Sequence, residues 1–286
     1  MRIGVIDVGS NTTRLLVARV ENGGLAPVVK CRVRLALGEE IERTGVVSEV
    51  SVAAASKAVG KLCALAHRHR VEDLDIFLTA PGRQSENAAE LTAALQRAAS
   101  HTVRVLSTEE EGRLAYGGAV ATAPIDLPAT IAVCDVGGAS TEIAVGAPDG
   151  EPEWIRSVNI GSVRLTARSE DLEHARDEAA DAFDGLEPPP RVEAALAVGG
   201  SARATRRLVG GELGAAELAE ALRLVQTKSP RAISRRYGVH PARARILLAG
   251  VVLLAEVQQR AGVALHVCDG GIREGALLHY AARRAA

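Results

Sequence analysis

Apolar and polar positions along the chain switch repeatedly between two periods. A two-residue step marks half-buried strands, and a three- and four-residue step marks amphipathic helices. Residues 1–36 read as strand, hairpin and strand. Val52, Ala55, Val59, Leu62 and Ala66 form one apolar stripe and predict a helix over residues 49–70. A short strand is expected from Leu74 to Leu78, then a helix from Gln84 to Ala99, a strand from Val103 to Leu106 and a helix over Glu109 to Val120. Residues 121–130, ATAPIDLPAT, hold two prolines and predict a boundary between domains 1–122 and 123–286. Strands restart beyond it, at Ile131 to Cys134, Glu142 to Val145 and Glu153 to Ile160. Residues 162–183 read as largely helical and acidic, Pro188-Pro189-Pro190 as extended, and Ala194 to Val198 as a buried strand. Helices then dominate to Gly262, before a strand from Ala264 to Cys268 and a last helix from Ile272. Alternating strands and helices imply an α/β layer structure.

One pattern occurs twice. In IAVCDVGGASTEIAV an apolar strand ends at Asp135, passes through Gly137, Gly138, Ala139, Ser140 and Thr141, and resumes as a strand. In IGVIDVGSNTTRLLVARV the same plan runs through Asp7, Gly9, Ser10, Asn11 and Thr12. Each second strand meets a hairpin signal, Asn22-Gly23 in the first copy and Asp149-Gly150 in the second. One such turn is an ordinary Asp-Gly hairpin; two, in matching contexts, argue for a duplicated unit. Glycine lets a backbone approach a ligand closely, and the N–H groups of such a turn cradle anions. Two loops facing each other across a cleft would grip a phosphate chain from both sides.

Composition narrows the field. Hydrophobic residues make up 47% of 286, enough for a sizeable core, but aromatics are only 2%. The core must therefore rest on Ala, Val and Leu, and base-stacking platforms for nucleic acid are not expected. Cys31, Cys63, Cys134 and Cys268 form no Cys-x-x-Cys pair and read as reduced packing residues of a cytoplasmic protein. The longest apolar run, Ile246 to Ala255, is too short to cross a membrane. Net charge is −1, yet residues 195–286 hold 14 Lys and Arg against 6 Asp and Glu. That excess of cations hints at a polyanionic partner, although solvated helix faces account for much of it.

Several side chains are candidates for chemistry. Asp7 and Asp135 stand at strand ends, where a carboxylate holds a divalent cation beside a phosphate or merely stabilises a turn. Glu142, on the strand after the second loop, is a further metal candidate, though a strand position also suits plain solvent exposure. In Glu109-Glu110-Glu111, first-turn acids suit the helix dipole, which accounts for two of the three. The third, before Gly112-Arg113, is a candidate general base. Arg83 follows a strand end and is placed either to clamp a phosphate or to lie on the surface. Gly199, Gly200 and Ser201 open a helix whose amides could bind another phosphate, and Asp269 to Gly275 is similar.

Taken together, these motifs resemble the exopolyphosphatase and guanosine pentaphosphate phosphohydrolase family. IDVGSNTTRLLV and CDVGGASTE resemble its two phosphate motifs, Arg83-Gln84 with Asn87 its arginine-bearing helix start, and STEEEGRLAYGG its glutamate segment. Residues 159–166 and Gly271-Ile272-Arg273-Glu274-Gly275 match as well. The sequence departs from the family's pattern at Ala139, where a third glycine is usual, and at Gly112, where alanine is. Proline and glycine are unusual in Thr79 to Gly82, and Arg245 and Leu248 replace an acidic residue and a proline.

The resemblance implies two actin-like domains, of the ribonuclease H-like ASKHA superfold, with an interdomain cleft. It implies hydrolysis of the terminal phosphate of inorganic polyphosphate, of short chains in view of the chain's length. Glu111 would activate water and Arg83 would hold the terminal phosphate. Phosphate would be bound by Gly9, Ser10, Asn11, Thr12, Gly137, Gly138, Ala139, Ser140, Thr141, Gly200, Ser201 and Arg273. Mg²⁺ or Mn²⁺ would sit near Asp135, Asp7 and Glu142. A homodimer fits this reading, with neither DNA nor membrane as partner. Guanosine pentaphosphate is the alternative substrate. A sugar kinase or actin-like ATPase would share the loops, and Ala139 suggests a third reading, a catalytically weak sensor of polyphosphate or nucleotide.

Overall fold

The computed structural model describes residues 1–21 and 24–285. The first expected turn, Asn22-Gly23, lies outside the described residues. The chain forms two compact units, one from Met1–Leu114 with Ile272–Ala286 and one from Ala115–Gly271. The first begins with β1 (Arg2–Val8), β2 (Thr12–Glu21), β3 (Gly24–Arg34), α1 (Leu37–Thr44) and α2 (Glu49–Arg68). It continues with β4 (Asp73–Leu78), α3 (Ala80–Gln84), α4 (Ala88–Ala99), β5 (Arg104–Val105) and α5 (Thr108–Val120), whose last turns pass into the second unit. The sheet order is β3-β2-β1-β4-β5, antiparallel among the first three strands and parallel from β1 to β4 and β5. Strand periodicity divides the core between the two faces. Ile6 and Val8 pack with Val59, Leu62, Leu91 and Leu95, while Ile3 and Val5 pack with Leu16 and Phe77.

The second unit contains β6 (Ile131–Val136), β7 (Thr141–Gly146), β8 (Trp154–Val158), α6 (Ser162–Arg168), α7 (Leu172–Asp184) and β9 (Ala194–Val198). Then come α8 (Gly199–Val209), β10 (Glu212–Leu213), α9 (Ala215–Thr227), α10 (Pro230–Tyr237), α11 (Pro241–Arg245), α12 (Leu247–Ala261) and β11 (Leu265–Val267). Its order, β10-β11-β9-β6-β7-β8, contains β8-β7-β6-β9-β11. That is the topology of the first sheet over again, with β10 added at one edge, so the duplication read from the two glycine loops extends to the whole sheet. Such a pair of sheets is the actin-like, ribonuclease H-like α/β arrangement. The last helix, α13 (Ile272–Ala285), returns to the first unit. Its Ile272, Ala276 and Leu277 pack with Ile3, Val5, Leu16 and Phe77, and Arg284 pairs with Asp73. By compactness the units therefore divide at Leu114 and again at Gly271, whereas the prolines of residues 121–130 had suggested a single cut at 122.

Two expected helices are interrupted, each by local side-chain chemistry. The helix expected from Gln84 to Ala99 breaks between α3 and α4. There Asn87 accepts from the Val47 amide (2.9 Å) and from Ser85 Oγ (2.6 Å), and donates to the Val47 carbonyl (2.8 Å). These bonds compete with helix continuation. The acidic stretch 162–183 splits into α6 and α7, because Asp171 caps the second helix by accepting from the His174 amide (2.9 Å). The four cysteines are free, three of them buried and Cys31 half-buried. No helix among the described residues is long and apolar enough to cross a membrane.

Candidate functional site

The two glycine loops close in the same way. The Gly9 amide donates to the Thr12 carbonyl (3.2 Å), and the Gly137 amide donates to the Ser140 carbonyl (3.0 Å). In both, the segment leading into a helix occupies the loop carbonyls. Ser10 O accepts from the Gly38 amide (2.7 Å), and Asn11 O from the amides of Leu35 and Ala36 (3.1 Å each). Gly137 O accepts from the amide and the hydroxyl of Ser162 (3.0 Å each). Gly138 O accepts from the amides of Val163 (2.8 Å) and Arg164 (3.2 Å). With the carbonyls so held, the amides of Ser10, Asn11, Gly138 and Ala139 find no backbone acceptor among the described residues. A turn that presents successive amides in this way is an anion nest.

Close approach fixes the second loop. A Cβ at Gly161 would stand 2.5 Å from Gly138 C and 2.6 Å from Ala139 N, backbone atoms that cannot yield. Thr141, fully buried, donates its hydroxyl to the Ile160 carbonyl (2.8 Å), tying the start of β7 to the turn before α6. Ala139 is 5% exposed, and its φ lies outside the left-handed region. Nothing in the backbone at that position calls for glycine.

The carboxylates sit differently in the two copies. Asp135 lies opposite Glu142 in the β6–β7 ladder, so the two share one face of the sheet. Glu142 is 2% exposed and accepts from Ser157 Oγ (2.9 Å), so the solvent-exposed alternative for it is excluded. Gly199, at φ +90°, makes room for Asp135: a Cβ there would meet Asp135 Oδ1 at 2.4 Å. Asp135 thus lies against the start of α8. Asp7, also buried, lies opposite Arg14 rather than a second carboxylate. Among the described residues no group of three or more His, Cys, Asp and Glu is arranged to hold a metal.

Arg83 and Glu111 meet in the first unit. β1 and β4 are parallel neighbours, with Asp7 beside Phe77 and Val8 beside Leu78. The segment after β4 therefore emerges at the same sheet edge as the first loop, and Thr79 donates its amide to the Val8 carbonyl (3.2 Å). Pro81 falls in the first turn of α3, where its missing N–H costs nothing. Arg83 follows; its Nη1 donates to the Leu106 carbonyl (2.8 Å), and its Nη2 pairs with Glu111 Oε2 at 2.8 Å. Both side chains are mostly shielded, at 17% and 12% exposure.

The three glutamates of α5 divide their tasks. Glu110 receives the Ser107 amide (2.9 Å) while Ser107 Oγ receives the Glu110 amide (3.1 Å), a reciprocal capping box. Glu109 faces solvent. Glu111 alone reaches Arg83. Sequence singled out Glu111 as the candidate base, and the cap geometry gives it a different place from Glu109 and Glu110.

The Ppx/GppA phosphatase family pattern matches residues 16–284. The chain belongs to this family. It is 28% identical to Exopolyphosphatase 1 of Mycobacterium tuberculosis over 97% of this chain and 88% of that protein. It is 32% identical to the guanosine-5'-triphosphate,3'-diphosphate pyrophosphatase of Pseudoalteromonas translucida, over 57% of this chain and 32% of that protein. Its fold is that of a solved exopolyphosphatase from Cytophaga hutchinsonii (TM-score 0.87, 21% identity, covering 100% and 99% of the two chains). The Aquifex aeolicus Ppx/GppA family member is similar (TM-score 0.84, 22% identity, 100% and 99%).

Within this Ppx/GppA chain, the remaining expected residues fall into place unevenly. Gly200 and Ser201 open α8 beneath the guanidinium of Arg243, whose Nη1 lies 3.1 Å from Ser162 Oγ and 3.3 Å from Ser201 Oγ. Ser201 is fully buried, so its hydroxyl serves Arg243. Arg273, on α13 of the first unit, lies 4.0 Å from Glu274, which is also 4.0 Å from Lys30. Sequence reasoning missed Arg243. A lone arginine among many on a helix carries no motif, and only the fold shows it bracing the second loop through Ser162.

Proposed function

We propose that this chain is an exopolyphosphatase that removes the terminal phosphate of inorganic polyphosphate. The observation that carries the proposal is the shielded Arg83–Glu111 pair at the sheet edge of the first loop. Glu111 orients a water and takes its proton as the water oxygen attacks the terminal phosphorus, a role suited to a carboxylate held in place. The bridging P–O bond breaks, releasing orthophosphate and a chain shortened by one unit. Arg83 places a guanidinium beside the transferring group and neutralises charge on its oxygens. The pair is self-limiting without substrate, because Arg83 and Glu111 hold each other. A terminal phosphate competes for Arg83 and so frees the carboxylate for water. The open amides of Ser10 and Asn11 supply further donors to phosphoryl oxygens, and those of Gly138 and Ala139 offer the same chemistry in the second unit.

A divalent cation fits the second unit best. Asp135 and Glu142 offer hard oxygen ligands on one sheet face, and a cation such as Mg²⁺ needs only one or two carboxylates beside water and phosphate. Asp7, opposite Arg14, is already beside a cation and is the poorer ligand. Mg²⁺ or Mn²⁺ would supply charge neutralisation on the phosphate chain. The free cysteines support a reducing, cytoplasmic setting. We include a homodimer in the proposal, for sedimentation to test.

Guanosine pentaphosphate is the second reading, favoured by the similarity to the Pseudoalteromonas pyrophosphatase. The test is phosphate release from short polyphosphate, long polyphosphate, guanosine pentaphosphate and ATP, each with Mg²⁺ and Mn²⁺. Release from polyphosphate at the highest kcat/KM supports the proposal. A preference for guanosine pentaphosphate replaces it with the second reading, and release from none overturns both in favour of a sensor.

A further inference from the structure

Residues 221–255 contain seven Lys and Arg and not one Asp or Glu. The middle of this stretch folds as a helical hairpin, α10 and α11, joined through Gly238 to His240. Ile233, Val239 and Ala244 bury its inner side in the core of the second unit. Arg231, Arg235, Arg236 and Arg245 are exposed on the outside. None of the four has an ion-pair partner among the described residues. Several arginines elsewhere in the unit are matched: Arg156 with Glu187, Arg206 with Asp269, Arg223 with Glu220 and Arg260 with Asp184.

Helix stability alone does not account for this clustering. Arg235 and Arg236 lie in the last turn of α10, where cations suit the helix dipole. Arg231 lies in the first turn, where a cation opposes it, and one turn from Arg235, where like charges repel. The hairpin is also attached to the second loop. Arg207 Nη1 donates to the Gly238 carbonyl (3.0 Å), and Arg243 of α11 reaches Ser162, which holds Gly137. Arg245 follows two residues later.

We infer that the α10–α11 hairpin is a tethering surface for the body of a polyphosphate chain, apart from the site that cleaves its end. The inference rests on the proposed function for the identity of the polyanion. The chemistry of the surface favours a bare phosphate chain over the other polyanions. Of its two rings, Tyr237 is half-buried beside Arg236 and the His240 imidazole caps α11 by accepting from the Ala242 amide (3.3 Å), so the surface offers no run of free rings for bases to stack on. No large apolar side chain is exposed on it to enter a bilayer. Chains long enough to reach it should bind more tightly than chains confined to the cleavage site.

The test uses the full chain with Arg231, Arg235 and Arg236 all changed to Gln, which keeps helix propensity and removes charge. Binding of end-labelled long polyphosphate is measured by anisotropy across a salt series, with turnover of tripolyphosphate measured alongside. Linear polyanions release about one counterion per contact, so the log–log salt slope should become shallower by about two to three. Long-chain affinity should fall severalfold or more at low salt while tripolyphosphate turnover stays at the wild-type level. Unchanged long-chain affinity and slope overturn the inference, as does wild-type binding of single-stranded RNA tighter than polyphosphate through the same arginines. Equal loss of tripolyphosphate turnover also overturns it, because the surface would then belong to the cleavage site. Absence of turnover in the wild-type protein refutes the proposed function, while binding still judges the surface.

Discussion

Replacing Glu111 by Gln isolates the proton-transfer role, because the side chain keeps its size and loses its charge. Arg83 remains anchored by its bond to the Leu106 carbonyl (2.8 Å), so the guanidinium stays near its place. What disappears is the carboxylate at 2.8 Å from Arg83 Nη2. General-base catalysis contributes about 10²–10⁴-fold, or roughly 3–5 kcal/mol of transition-state stabilisation. kcat should fall by that factor. KM should not rise, and should fall if releasing Arg83 strengthens its grip on the terminal phosphate. The assay is steady-state phosphate release from tripolyphosphate with saturating Mg²⁺, with binding measured separately. Glu109→Gln is the control; its side chain faces solvent, and turnover should stay at the wild-type level. A Glu111→Gln protein with kcat within about tenfold of wild type would refute the base assignment. A rise in KM with unchanged kcat would show that Glu111 serves substrate binding instead.

Asp135→Asn should lower kcat and raise the Mg²⁺ concentration needed for half-maximal activity, since an amide binds a hard divalent cation poorly; unchanged metal dependence would move the metal elsewhere. Ala139→Gly should bring no gain in turnover, because the alanine sits at an ordinary φ, and should cost about 0.4–1 kcal/mol through the freer unfolded chain, read as a lower Tm. A clear rise in activity would instead show that the methyl group obstructs the loop. Burial pushes the Cys63 thiol up to about 11 and Cys268 to about 12. Native protein should therefore present half-buried Cys31 first to a thiol reagent, with the others reacting on unfolding. The same shifts set a sign for stability. The unfolded thiols lose protons near pH 8.5 while the folded ones keep them, so unfolding free energy should decline as pH rises from about 8.5 toward 11. A flat denaturation midpoint over that window would contradict it.

The two glycine loops were legible because they are local: Asp7 to Thr12 and Asp135 to Thr141 each need only a strand, a turn and a strand. The duplicated sheet order followed from that repeat, since matching loops imply matching strands around them. Helix breaks were harder. Asn87 interrupts its helix through bonds to Val47, forty residues earlier in sequence, and no periodicity records such a contact. Glu111 was set apart from Glu109 and Glu110 in the sequence, but that Glu110 closes a capping box with Ser107 depended on rotation about one helix, which a run of three identical residues conceals. Glu142 was ambiguous because only the β6–β7 register and Ser157 show that its strand is covered. Arg243 lay beyond reach, because its partners Ser162 and Ser201 come from two other helices.

The return of α13 to the first unit bears on how the protein is made. The second unit is a continuous run of chain, from Ala115 to Gly271, and everything its core needs has been synthesised before α13 is translated. The first unit is interrupted, and Ile272, Ala276 and Leu277 complete the face formed by Ile3, Val5, Leu16 and Phe77. Vectorial synthesis therefore delivers the two units in reverse: the one begun first is finished last. Until α13 emerges, that apolar sheet face is uncovered on a nascent chain, the state in which a chaperone has most to bind. The Arg83–Glu111 pair lies in this late-maturing unit, so a chain interrupted before α13 has a complete second unit and an unfinished first one.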